Sequence, residues 1–269
     1  RKEEMSNNNN EMKKELGMGA AMATVVGCVI GSGVFFKPTA IYTATGGAPG
    51  LAIIAWVVTS LVCLCAAMTF AEIAILIPET GGMPVYLKKV FGDKVGYLCG
   101  WMQTVVFYPG LVAALAVAVA NQAKLFLGDG MVVPVAIVCI IIMVALNCMG
   151  AKVGGAAQTI FTVAKLIPLI LIMIFGFIKG NGNPIFDPML GDGLKFGSVL
   201  GQLMIAVLFA YEGWTNVGAI AGEMKDPGRD LPKAIVGGVA LIMAVYIIIN
   251  LAYLWVLPAD VMIDRKSVV

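Results

Sequence analysis

The sequence predicts an all-α protein that crosses a membrane several times, and three observations predict it. The chain of 269 residues is 60% hydrophobic and only 13% charged, about half the charged share of a soluble globule. Its apolar residues gather in runs of about 20 or more, the length a helix needs to cross the hydrocarbon core of a bilayer. Turn-forming residues separate the runs, as in Gly46-Gly47-Ala48-Pro49-Gly50, Gly81-Gly82-Met83-Pro84, Gly128-Asp129-Gly130 and the stretch from Gly180 to Gly193.

Seven spans follow, at roughly 17–44, 50–77, 95–124, 131–149, 153–179, 196–223 and 234–257. The first is longer than a crossing requires and is interrupted by Ile30-Gly31-Ser32-Gly33. The second starts behind Pro49 and runs unbroken. Gly128-Asp129-Gly130 divides the third from the fourth. The fifth carries Lys165 near its middle, and the sixth is interrupted at Ala210-Tyr211-Glu212-Gly213-Trp214. Asp226-Pro227 and Leu231-Pro232 stop the sixth and start the seventh, since proline suits a first helical turn. A cytoplasmic gating contact through Glu223 and Arg229 is the alternative reading of that loop.

Basic residues orient the spans. With the N-terminus inside, the inner segments hold Arg1, Lys2, Lys13, Lys14, Lys88, Lys89, Lys94, Lys152, Lys225, Arg229 and Lys233. The outer loops hold little beyond Lys179 and Lys195, with Lys37 and Lys124 near helix ends, which is the positive-inside pattern. The chain thus divides into a cytoplasmic tail (1–16), five spans (17–179), two more spans (196–257) and a polar tail (258–269). The opening residues are polar and Asn-rich, unlike a signal peptide. Met5-Ser6-Asn7 would make an ordinary start, so residues before Met5 read as leftover or upstream translation. The chain is expected to be a product truncated after its seventh span.

Composition also excludes. A net charge of +2 with no basic cluster gives nucleic acid nothing to bind. The absence of histidine removes histidine-based triads, zinc sites of the zincin or deaminase type, and histidine proton relays. The cysteines (28, 63, 65, 99, 139 and 148) lie in or beside apolar segments with no CxxC pair, and read as free thiols. Cys63 and Cys65 point to different helix faces. No metal, no cofactor and no enzyme active site is expected.

The two breaks carry the functional reading. Exposed backbone groups cost several kcal/mol in lipid unless they line a cavity or are buried in protein. A Glu at that depth costs about another 2.5–3.5 kcal/mol. A break leaves free carbonyls at the end of one half-helix and free amides at the start of the next, with partial charges of opposite sign. Side by side, such ends match an ammonium and a carboxylate separated by one carbon. The amides of Ser32, Gly33, Val34 and Phe35 would face a carboxylate, with the Ser32 hydroxyl added and Ile30 and Gly31 completing the site. The carbonyls near Phe209 and Ala210, with Tyr211, Glu212 and Gly213 beside them, would face the ammonium. Discontinuous helices at corresponding places in two repeats point to a transporter site, and an α-amino acid is the guest they fit. Close helix packing is the competing use of Gly-x-Gly.

These residues also resemble a family. Val29-Ile30-Gly31-Ser32-Gly33-Val34-Phe35 is similar to the first-helix signature of the amino acid–polyamine–organocation superfamily. Phe209-Ala210-Tyr211-Glu212-Gly213-Trp214 resembles the sixth-helix motif of its L-amino acid transporter branch. The run from Glu223 through Pro227 and Arg229 to Pro232 is similar to the loop that follows, and Pro78-Glu79-Thr80-Gly81-Gly82 to the segment after the second helix. The nearest likeness is to bacterial serine/threonine-type exchangers. The resemblance implies the leucine-transporter-type inverted-repeat fold, its first repeat complete here and its second partial. It implies sodium-independent exchange of small neutral L-amino acids by alternating access, with Phe209 as an aromatic gate.

Lys165 has too many residues on either side to snorkel to an interface. It should face the bundle interior, where an ammonium could replace a cation bridging carbonyls of the broken first helix. In the resembling family a lysine here takes the place of sodium. Tyr246 and Asn250, one turn apart on the seventh span, share a face and resemble family positions near that lysine. A plain interhelical hydrogen bond is the equal alternative for them. The segment from Leu125 to Pro134 has no cysteine, whereas animal relatives use one there to join an ancillary glycoprotein. No disulfide-linked ancillary subunit is therefore expected; substrate and membrane lipid are the expected partners. Proton-coupled symport through Lys165 and Glu212, or an inert truncated fragment, are the alternatives to exchange.

Overall fold

A computed structural model describes residues 16–263 apart from 78, 80, 150 and 181. Both terminal tails beyond that range, and Pro78 and Thr80 of the 78–82 segment, lie outside the described residues. The described chain is helical, with one isolated backbone bridge between Leu16 and Met224. Eleven α-helices run in order: α1 (Met18–Val29), α2 (Gly33–Ala44), α3 (Pro49–Leu76), α4 (Met83–Phe91), α5 (Asp93–Met102), α6 (Tyr108–Leu127), α7 (Val132–Cys148), α8 (Ala151–Lys179), α9 (Phe196–Ala210), α10 (Pro227–Val256) and α11 (Ala259–Ile263). A π-helical turn, Gln103–Phe107, joins α5 to α6, and a 3-10 helix, Trp214–Glu223, follows α9.

Five helical stretches are long and apolar enough to cross a membrane, and α1 with α2 make a sixth, bent by 42°. The expected span at 131–149 is α7, 17 residues long. At about 1.5 Å per residue it is shorter than the ~30 Å hydrocarbon core. The seventh span starts seven residues earlier than the periodicity suggests, because Pro227 takes the first helical position rather than preceding the helix. Helix α4 is a correction to the turn expected at 81–84. Its first residues are Met83-Pro84, and the apolar Tyr86 faces inward while Lys88 and Lys89 stay in water.

The chain folds into two compact units. The first holds the described residues up to Gly82 and from Lys165 on; the second is Met83–Ala164. In the second unit α4 and α5 lie back to back at Gly96, where a side chain would run into Lys88 and the Pro84 carbonyl. Lys88 and Asp93 pair across the same corner at 3.0 Å, fully in solvent. Ala116, Ala120 and Ala136 form a small core between α6 and α7. Val133, Ile137, Ile141 and Val144 point outward, the arrangement of a helix solvated by lipid rather than water.

The first unit packs α10 between α1 and α3. Gly237 and Gly238 of α10 admit Met22 and Val25 of α1, so the backbones approach closely. At one end, the segment between α8 and α9 folds over the α2–α3 turn. The Gly50 and Leu51 amides at the start of α3 donate to the carbonyls of Pro188 (3.3 Å) and Met189 (2.9 Å), and Gly191 donates to Thr45 (3.0 Å). Helix α11 closes on Gly47 from the other side. At the opposite end, Leu16 donates to Glu223 and accepts from Lys225, each at 2.9 Å, tying the entry of α1 to the end of the 3-10 helix.

Candidate functional site

Both breaks lie in the first unit. Helix α1 ends where Ile30 turns extended (ψ 97°), its amide still donating to Val26 at 2.9 Å. Helix α2 restarts at Gly33. The Ser32 carbonyl accepts the Phe35 and Phe36 amides, each at 3.1 Å, while the Ser32 side chain caps nothing. Among the described residues the amides of Ser32, Gly33 and Val34 have no acceptor. These are the exposed donors that any helix start leaves.

The second break is tighter. The amides of Tyr211 and Glu212 fold back on Leu208 (3.0 Å) and Phe209 (3.3 Å), and the chain then turns through Gly213 at φ +117°. That left-handed value is open to glycine and strained for any L side chain. Beyond it the backbone winds as a 3-10 helix, its first bond running from the Asn216 amide to the Gly213 carbonyl at 3.1 Å.

The two breaks touch each other. A Cβ on Gly33 would stand 3.0 Å from the Ala210 Cα, and one on Gly213 would stand 3.0 Å from the Cys28 carbonyl oxygen. Each break therefore has a glycine against the other's backbone.

One hydroxyl joins them. The Tyr246 hydroxyl of α10 lies 3.1 Å from the Val29 carbonyl and 3.0 Å from the Ala210 carbonyl, as donor to both. These are the last carbonyls of α1 and α9, orphaned by the breaks. The phenol is held edge-on by Trp56 (centroids 5.5 Å) and Tyr211 (5.1 Å). The Tyr211 hydroxyl meets Ser60 at 2.5 Å, and Ser60 donates to the Trp56 carbonyl at 2.6 Å. Removing only the hydroxyl, in Tyr246→Phe, leaves the ring packing and strips both carbonyls of their donor. The expected loss is about 1–3 kcal/mol of stability, read as a fall in melting temperature in detergent. A melting temperature unmoved by the substitution would mean the hydroxyl bridge holds nothing.

Lys165 reaches the same place from α8. Its ammonium donates to the Gly27 carbonyl in the last turn of α1. Asn250 is fully buried and bonds within its own helix, its side-chain amide donating to the Tyr246 carbonyl at 2.7 Å, while its Oδ1 has no partner. So the structure brings Lys165, Tyr246, Tyr211 and Ala210 to one end of α1, with Ile30, Gly31, Ser32, Gly33 and Val34 opposite. Gly213 joins them through its contact with Cys28; the remaining candidates are not brought in. Glu212 is exposed, and Phe209 is 52% exposed. The Glu223 main chain bonds to Leu16, and Arg229 stands in the open; no ion pair joins these two side chains.

Sequence reasoning passed over Ser60 and Trp56 as site residues. Thr59-Ser60 at the middle of the second span was the available signal, two hydroxyls at a depth where few are free to stay unpaired. Lys37 was passed over too: its ammonium sits 4.2 Å from the centre of the Phe209 ring. An apolar groove of about 260 Å³, lined by Ile172, Phe175, Lys179, Tyr253 and Val256, lies at the far ends of α8 and α10 and includes none of these residues.

Chemically, the arrangement offers unsatisfied amides, positive in sign, beside carbonyls whose remaining lone pairs are negative in sign. Among the described residues no nucleophile–base pair accompanies them. Residues 16–269 match the family described as amino acid permease. The chain is 38% identical over 261 residues to the serine/threonine exchanger SteT of Bacillus subtilis, covering 95% of this chain and 58% of that protein. It is 31% identical over 268 residues to the large neutral amino acids transporter small subunit 2 of Homo sapiens, covering 96% and 50%. It is 29% identical over 266 residues to the b(0,+)-type amino acid transporter 1 of Homo sapiens, covering 96% and 54%. The chain thus spans between half and three-fifths of the length of these relatives.

Proposed function

Because the chain belongs to the amino acid permease family, we propose that its protein is a secondary-active carrier exchanging small neutral L-amino acids, independently of sodium, by alternating access. It is a multi-pass membrane protein, and the family and the relatives are transporters rather than enzymes. The observation that carries the reading is the mutual contact of the two breaks. A zwitterion bound beside that contact would meet α2 amides with its carboxylate and α9 carbonyls with its ammonium.

On this reading Ile30, Gly31, Ser32, Gly33 and Val34 hold the carboxylate, and Ala210, Tyr211 and Gly213 face the ammonium end, with the exposed Phe209 and Glu212 next to them in the chain. Lys165, hydrogen-bonded to Gly27, supplies the fixed charge that a bound sodium would otherwise supply. Tyr246 and Asn250 steady the seam, and Glu223 with Arg229 flank the inner end. The fold is the inverted-repeat one, with a first repeat at 17–179 and a second beginning at 196–257; the stretch 1–16 is a tail, while the expected tail at 258–269 begins with the packed helix α11. The excess of Lys and Arg on one side of the spans places the N-terminus in the cytoplasm. One relative is named a small subunit, which implies a companion chain for that protein. Here the cysteine-free stretch 125–134 speaks against a disulfide-linked companion through that loop, and the expected surroundings are lipid and substrate. Proton-coupled symport is the second reading, favoured by the membrane-embedded ammonium of Lys165 at the end of α1.

The test is counterflow of labelled serine in liposomes, using the protein expressed from its complete reading frame. Exchange that needs unlabelled amino acid inside, and ignores both sodium and a pH gradient, is the expected result. Uptake driven by a proton gradient into empty liposomes would replace exchange with symport.

A further inference from the structure

Lys37 is a cation with no carboxylate beside it. It lies on α2 one turn after Gly33, on the same helix face, and that face is turned to the end of α9. Gly33 abuts Ala210, and the Lys37 ammonium covers the ring of Phe209, 4.2 Å from its centre. Among the described residues no acidic side chain comes within ion-pair distance of it. It is half-buried while Phe209 is half-exposed, and Lys37 follows the free amides of Ser32, Gly33 and Val34 by one helical turn.

Resting on the amino acid reading of the breaks, we infer that Lys37 is a charge-selecting residue that rejects amino acids with cationic side chains. Two effects act in the same direction. Four residues of helix rise about 6 Å, which sets a scale of about 7 Å for the separation between the ammonium and a second cation bound at the break. At an effective dielectric of about 20, that repulsion weakens binding by roughly 50-fold. Lys37 also occupies the aromatic face that would otherwise attract the substrate's own cationic group. A neutral side chain meets neither penalty.

The measurement is the ratio of arginine to serine, taken by counterflow and by ligand-induced thermal shift in detergent. The probes are the unmutated protein, K37M, K37Q and K37R. The unmutated protein and K37R should exclude arginine, and K37M and K37Q should raise the arginine-to-serine ratio tenfold or more. Should a variant lose flux, its thermal shifts give the same ratio. The inference is overturned if the unmutated protein accepts arginine as readily as serine, or if both neutral variants keep its ratio within twofold. Absence of any serine counterflow and any serine-induced shift in the unmutated protein would instead overturn the amino acid reading itself.

Discussion

Lys165→Ala is expected to lower serine exchange by about a hundredfold or more while leaving the protein folded enough to purify. The ammonium is the partner of the Gly27 carbonyl, one of the last four of α1 that the helix itself cannot satisfy. Without it that carbonyl is stranded in the membrane interior, at a cost of about 1–3 kcal/mol. The end of α1 is then free to shift. A displacement of about 1 Å in a positioned site is enough for a loss near a hundredfold. Lys165→Arg keeps the charge but brings a planar fork in place of a compact ammonium, and partial activity is the expected outcome. Serine counterflow in proteoliposomes measures both. Flux at the unmutated level in Lys165→Ala would remove the lysine from the mechanism.

Gly213→Ala is expected to be severely damaging for a change of one methyl, because backbone strain and a backbone contact act together there. At φ +117° an alanine is strained by about 1–3 kcal/mol before any neighbour is counted. Its Cβ would also press on the Cys28 carbonyl at 3.0 Å, and that neighbour is backbone with little room to yield. The expected sum is about 2–4 kcal/mol, seen as a melting temperature lower by several degrees and as loss of serine-induced stabilisation. Gly19→Ala, where a Cβ meets nothing within 4 Å, is the control and should melt like the parent. Equal melting of Gly213→Ala and the parent would mean that the second break is not held against α1.

The breaks were legible because the residues that make them are conspicuous in an apolar run: Gly31 and Gly33 in one, Glu212 and Gly213 in the other. What joins them was not. Lys165 and Gly27 are 138 residues apart, and Tyr246 and Val29 are 217 apart; no local pattern encodes which carbonyl a side chain will find. The π turn at Gln103–Phe107 was invisible for a different reason: its composition matches the helices on either side, and only a change of hydrogen-bond register marks it. Helix α4 was hidden by Gly81-Gly82-Met83-Pro84, whose turn signal is real but ends at Gly82. The 3-10 winding after Gly213 was hidden by propensity, since Trp214 to Glu223 would serve an α-helix as well. Lys37 read as a residue near a helix end, and only the position of Phe209 in space gives its charge a context.

The clasp over the start of α3 has a consequence for how the chain is made. Leu51 takes its acceptor from Met189, 138 positions later in the chain. At about 5–20 residues per second, roughly 7–30 s pass between the emergence of that amide and of its partner. Throughout that interval the leading turn of α3 must borrow water or lipid headgroups, which keeps it at the bilayer surface. The segment carrying Pro188 and Met189 then displaces those temporary partners. Ribosome-arrested chains stopped before and after that segment should differ in hydrogen exchange at Gly50 and Leu51, although both have α3 already inserted.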